Sequence, residues 1–77
     1  MTVYFKKAFS NISKLHALSD RETEIVSLVF NGKSNKEIAE LLYIEVSTVK
    51  SHLGSIYRKF NVANRIQMVA LISKQGQ

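Results

Sequence analysis

The sequence predicts an all-α domain, a bundle of four helices with room for an additional N-terminal helix. Three observations predict it. No proline interrupts the 77 residues. Apolar residues recur at helical spacing, and no two-residue alternation persists. Two serine capping boxes, Ser19-Asp20-Arg21-Glu22 and Ser34-Asn35-Lys36-Glu37, open stretches only 15 residues apart.

In residues 1–17, Tyr4, Phe5, Ala8, Phe9, Ile12 and Leu15 follow helical spacing. An extra amphipathic helix, a disordered leader and the remnant of an inter-domain linker are alternatives there. The domain proper is expected over 18–77. In its first helix the Ser19 hydroxyl accepts the Glu22 N–H while the Glu22 carboxylate reaches back to the Ser19 N–H. Asp20, Glu22 and Glu24 suit the positive end of the helix dipole, and Leu18, Ile25, Leu28 and Val29 supply the apolar side. Asn31-Gly32 stops it, because glycine takes the left-handed conformation at little cost. The second box opens a short helix whose inner face is read as Ile38, Leu41 and Leu42, with Ala39 small enough for a close helix crossing.

The third helix is predicted over residues 46–60. Val46, Val49, Leu53, Ile56, Tyr57 and Phe60 fall on one stripe. Everything else on it is polar, charged or glycine. Ser47, Ser51, Gly54 and Arg58 line one flank, Thr48, His52, Ser55 and Lys59 the other, and Lys50 borders the stripe. A fourth helix begins after Asn64, with Gln67 as a weaker box partner. Ile66, Val69, Ala70 and Ile72 are candidates to pack inward, which leaves Met68 and Leu71 over. A helix apolar on more than one side suggests a second contact surface.

Length and composition narrow the function. The chain has room for one domain, and 45% hydrophobic residues are too many for a disordered tail. No apolar run approaches the ~18 residues of a spanning helix, so no membrane role is expected. No apolar stretch of signal-peptide type follows Lys6 and Lys7. Cysteine is absent, which excludes disulfides, thiolate metal sites and cysteine nucleophiles and agrees with a reducing cytoplasm. His16 and His52 are far apart, and no nucleophile, base and orienting group can be assembled. Neither catalysis, nor a metal, nor a cofactor is expected. The net charge of +5 is unevenly spread. Residues 43–77 hold Lys50, Arg58, Lys59, Arg65 and Lys74 against Glu45 alone. A basic half attracts phosphate backbones.

The second and third helices are joined by only Tyr43 to Glu45. A short helix, a tight turn and a longer helix with a polar outer face form the helix-turn-helix pattern. In it the second helix of the pair enters the major groove of double-stranded DNA. Small hydroxyl residues allow close approach, and Lys50 and Arg58 can donate to guanine or phosphate.

These residues resemble the LuxR-type helix-turn-helix DNA-binding domain, the NarL/FixJ/GerE-like group of transcription regulators. The matching stretches are Leu18 to Val26, Gly32 to Ala39, Ser47 to Leu53, Arg58 to Phe60 and Val62 to Arg65, in the family's order and spacing. The resemblance implies a four-helix bundle whose third helix reads DNA and whose fourth pairs two protomers. It implies base contacts from Lys50, Ser51 and Gly54. It implies backbone contacts from Ser34, Asn35, Lys36, Ser47, Thr48, His52, Arg58 and Lys59. The expected homodimer face is Met68, Leu71 and Ile72, with RNA polymerase or another regulator as further candidate partners. Two positions depart from the family pattern. Glu45 stands where a Ser or Thr cap usually precedes the reading helix, and Gly54 stands where a longer side chain often reads a base. The rival expectation is a protein-interaction module that pairs with another LuxR-type regulator without reading DNA, with residues 1–17 as its contact arm.

Overall fold

The computed structural model describes residues 16–75, so the leader expectation for residues 1–15 lies outside the described residues. Among the described residues there are four helices and no strand. They are α1 (Asp20–Phe30), α2 (Asn35–Leu42), α3 (Val46–Phe60) and α4 (Arg65–Gln75).

Both capping boxes form as read. The Ser19 hydroxyl accepts from the Glu22 N–H at 3.1 Å and Glu22 Oε1 accepts from the Ser19 N–H at 2.9 Å. The Ser34–Glu37 pair repeats this at 3.1 and 2.8 Å. The helix ends share a device as well. After α1, the Gly32 N–H donates to the Val29 carbonyl and the Lys33 N–H to the Leu28 carbonyl, with Gly32 at φ +85°. After α2 and α3 the same long closing bond runs from the Ile44 N–H to Ala39 and from the Val62 N–H to Tyr57. There the left-handed residues are Tyr43 and Asn61, each at φ +58°. Asn tolerates that region; Tyr pays for it in Cβ crowding.

α3 is the central element, packed against α1, α2 and α4. Its buried stripe is Val49, Leu53, Ile56 and Phe60. Around it close Ile25, Val26 and Val29 from α1, Ile38 and Ala39 from α2, and Met68 and Ile72 from α4. Burial removes these side chains from water at about 25 cal/mol per Å² of apolar surface, and in so small a domain each carries a large share of the stability.

The structure corrects two sequence-based assignments of the core. Leu41 is half-exposed and only Ile38 and Ala39 of α2 are buried, because eight residues make little more than two turns against α3. On α4 the inner face is Met68 and Ile72, at 0% and 1% exposure, while Ile66 is 81% exposed. Met68 and Ile72 therefore have no surface to give a partner. The expected dimer face cannot include them, and Leu71 packs at the margin of the core.

Candidate nucleic-acid interface

The outer side of α3 faces away from the core. Residues 47, 50, 51, 54 and 58 fall within about 100° of helical arc, on the side away from the buried stripe with Lys50 at its border. Ser47, Lys50, Ser51 and Arg58 are exposed, and Gly54 is half-buried. Ser47, Ser51 and Gly54 keep the strip shallow between two cations. Thr48, also exposed, and His52, half-buried, flank it.

Gly54 is helical, so its conformation does not require glycine. A β-carbon there would stand 3.8 Å from Arg58 Nη1, an ordinary contact. Gly54→Ala is therefore expected to stabilise the domain by about 1 kcal/mol through helix propensity, read as a raised midpoint in thermal denaturation. A lowered midpoint would mean that a β-carbon at residue 54 crowds its surroundings.

Lys59 departs from its expected place among the phosphate contacts. Its ammonium turns toward α1, donating to Glu22 Oε1 at 2.7 Å and to the Ala17 carbonyl at 3.2 Å. Glu22 is buried, at 4% exposure. Burial alone would push its carboxyl up. The hydrogen bonds from Lys59, the Ser19 N–H and Ser55, together with the Lys59 charge, outweigh that and hold it at about 2. The group that caps α1 is thus also the anchor of the C-terminal end of α3. His16 completes this corner, its ring edge-on to Phe60 with centroids 4.4 Å apart.

The start of α2 supplies the second part of the surface. Ser34 and Lys36 are exposed and Asn35 is half-buried. The capping box occupies the N–H groups of Ser34 and Glu37. Those of Asn35 and Lys36, which have no intrahelical partner, remain to meet an anion. Ser34 holds the Glu37 carboxyl below its ordinary range through its backbone and hydroxyl hydrogen bonds, so a negative charge stands beside them.

Arg65, at the first turn of α4, reaches this corner from 30 residues away. It donates from Nη1 to Asn35 Oδ1 at 3.1 Å and from Nη2 to the Lys33 carbonyl. With its oxygen engaged, Asn35 presents its amide hydrogens instead. Its spacing in the sequence points to no such role for Arg65. Its only signal was its place in the Val62-Ala63-Asn64-Arg65 stretch.

Glu45 caps α3 only with its carbonyl, which accepts from Thr48 and Val49; its side chain makes no cap bond. The weak cap read from the sequence is present. On α4, Asn64 Oδ1 accepts from the Gln67 N–H at 2.9 Å, while Gln67 Oε1 accepts from the N–H of Ala63 at 2.7 Å, one residue before the expected cap position. Among the described residues no group of three His, Cys, Asp or Glu side chains gathers as a metal site, and no helix is long and apolar enough to cross a membrane.

A short helix, a three-residue turn and a longer helix with an exposed polar strip, closed by two flanking helices, define a helix-turn-helix domain of the transcription-regulator class. The family described as "Bacterial regulatory proteins, luxR family" matches residues 16–72. The chain belongs to that family. It is 43% identical over 63 residues to the putative HTH-type transcriptional regulator YhjB of Escherichia coli K12, covering 82% of this chain and 32% of that protein. It is 45% identical over 62 residues to the transcriptional regulatory protein DegU of Brevibacillus brevis, with 80% and 26% covered. It is 39% identical over 64 residues to the transcriptional regulatory protein DesR of Bacillus subtilis, with 83% and 32% covered. The chain thus spans between a quarter and a third of the length of these relatives, which are named as transcriptional regulators.

Proposed function

We propose that the chain binds double-stranded DNA sequence-specifically in transcription regulation, with α3 in the major groove. The observation that carries this is the strip of exposed Ser47, Lys50, Ser51 and Arg58 around half-buried Gly54, on the side of α3 away from its buried stripe. A groove-reading helix needs that combination of a rigid anchored back and a shallow donor-rich front. Ser34, Asn35 and Lys36 at the start of α2, with Thr48 and His52 on the flank of α3, serve as phosphate contacts that set the register.

Pairing on a two-fold axis uses the outer face of α4. There Ile66 is 81% exposed, and Ala70 and Ser73 follow at helical spacing, also exposed. Small residues after one large apolar side chain let two such helices approach closely. The half-sites then lie about one helical turn, ~10 bp, apart.

Selection of bound sequences from a random duplex library at near-physiological salt tests the reading. A two-fold-related motif is the expected result, and binding without base preference would contradict it. On the selected duplex, Lys50→Ala is expected to lose roughly 1–3 kcal/mol of affinity and to relax preference at one position per half-site. Unchanged affinity would remove Lys50 from the interface. Salt separates DNA binding from pairing with another regulator. Counterion release makes the former fall steeply with salt, whereas contact through Ile66 is apolar and does not.

A further inference from the structure

Gly54 lies mid-strip and contributes no side chain, yet it is half-buried. The side chain over it belongs to Arg58, whose Nη1 lies 3.8 Å from the point where a β-carbon on residue 54 would stand. Helical side chains lean toward the N-terminus, so a long residue covers the position four before it. The guanidinium of Arg58 is thereby set back along the helix by about one turn, roughly 6 Å, to the level of Gly54. A side chain longer than alanine at 54 would occupy that place.

We propose that Arg58, folded back over Gly54, is the guanine-reading residue of α3, and that Gly54 is the seat that places it there. The inference rests on the DNA-binding reading above and deepens it. Among the described residues no carboxylate pairs with Arg58, in contrast to its neighbour Lys59, which is committed to Glu22. The planar fork of Arg58 keeps its donors for a ligand. Guanine offers the matching pair of acceptors, O6 and N7, on its major-groove edge, and a lysine cannot reproduce the two-pronged geometry. Ser51, one turn before Gly54 on the same face, is small enough to let the base edge reach the guanidinium. A phosphate contact, the other use of an arginine at the end of a recognition helix, needs no cleared seat on the helix surface. The side chain would then extend past the helix edge instead of lying back along it.

The test measures, by competition anisotropy on the selected duplex, the affinity for all four base pairs at each position of the half-site. The parent is expected to prefer guanine at one position by about tenfold or more. Arg58→Ala flattens that preference with the salt slope little changed, because no phosphate contact is lost. Gly54→Leu, which fills the seat while leaving the net charge intact, flattens the same preference with the salt slope retained. Its helical content, checked by circular dichroism, separates this from misfolding. Arg58→Lys does not restore the preference. If Arg58→Ala weakens all sequences by one common factor, Arg58 is a phosphate contact and the proposal fails. It fails as well if folded Gly54→Leu keeps the guanine preference. A parent that binds no duplex at all overturns the DNA-binding reading itself, an outcome distinct from either.

Discussion

Met68→Asp is expected to abolish the cooperative thermal transition of the domain, while Ile66→Asp, two residues earlier on the same helix, leaves the fold intact. Met68 has no exposed surface and Ile66 is 81% exposed. A carboxylate at 68 would be buried among Ile, Leu and Phe side chains with no cation assigned to it. Such burial costs about 4 kcal/mol or more, comparable with the whole stability of a domain this small. Ile66→Asp removes only an exposed apolar side chain. It is expected to weaken self-association in sedimentation and to lower the apparent affinity for a two-half-site duplex. A folded Met68→Asp domain with weakened dimers would mean that α4 is rotated from the orientation described, with Met68 outward as the sequence alone suggested.

Glu22→Gln is expected to cost the domain about 2–3 kcal/mol at neutral pH and to remove part of its acid sensitivity. The carboxyl, at 4.5 in its ordinary state, is held at about 2 in the folded protein. The contribution is therefore complete above 4.5 and is lost as the pH falls toward 2. A shift of that size corresponds to about 3 kcal/mol by linkage, reduced somewhat because Lys59 is partly exposed and screened by water. Urea denaturation of parent and variant between pH 2 and pH 6 checks it, since the gap between the two should close as the solution is acidified. A gap independent of pH would show that the loss comes from packing, and that the Lys59–Glu22 pair contributes nothing as an ion pair. If the gap closes, Lys59 is occupied in holding α3 to α1 through Glu22. Its substitution should weaken DNA binding through the fold and not through a lost phosphate contact.

What the sequence made legible follows from how local each signal is. The capping boxes at Ser19 and Ser34 depend on residues three apart, so their geometry is legible in the sequence alone. The stripe of α3 was equally plain, because polar and apolar residues divide cleanly around it and Val49, Leu53, Ile56 and Phe60 are all buried. α4 is legible only in part, for the opposite reason: Ile72 packs inward and Val69 against the core as their spacing suggests, whereas Ile66 faces out and Met68 in. Ile66, Met68, Val69, Leu71 and Ile72 surround much of the helix, so periodicity alone does not choose which side meets α3. The inward pair was decided by packing. The two cross-links, Lys59 to Glu22 at 37 residues and Arg65 to Asn35 at 30, were beyond any spacing rule. They reassign two cations that composition alone counts as free positive charge. The folding back of Arg58 over Gly54 was hidden similarly. A glycine read as a missing contact becomes, once the neighbouring turn is in place, a site occupied by another residue.

The account stands on α3 meeting bases through their major-groove edges. The most direct measurement is the affinity for the selected duplex after its guanines and adenines are replaced, within each half-site, by their 7-deaza analogues. These keep pairing and backbone charge but lack the N7 acceptor of the major groove. The expected result is a loss of about tenfold or more with the salt dependence nearly unchanged, because the phosphate contacts remain. Equal affinity for the two duplexes would contradict it and would place the recognition surface somewhere other than the outer strip of α3.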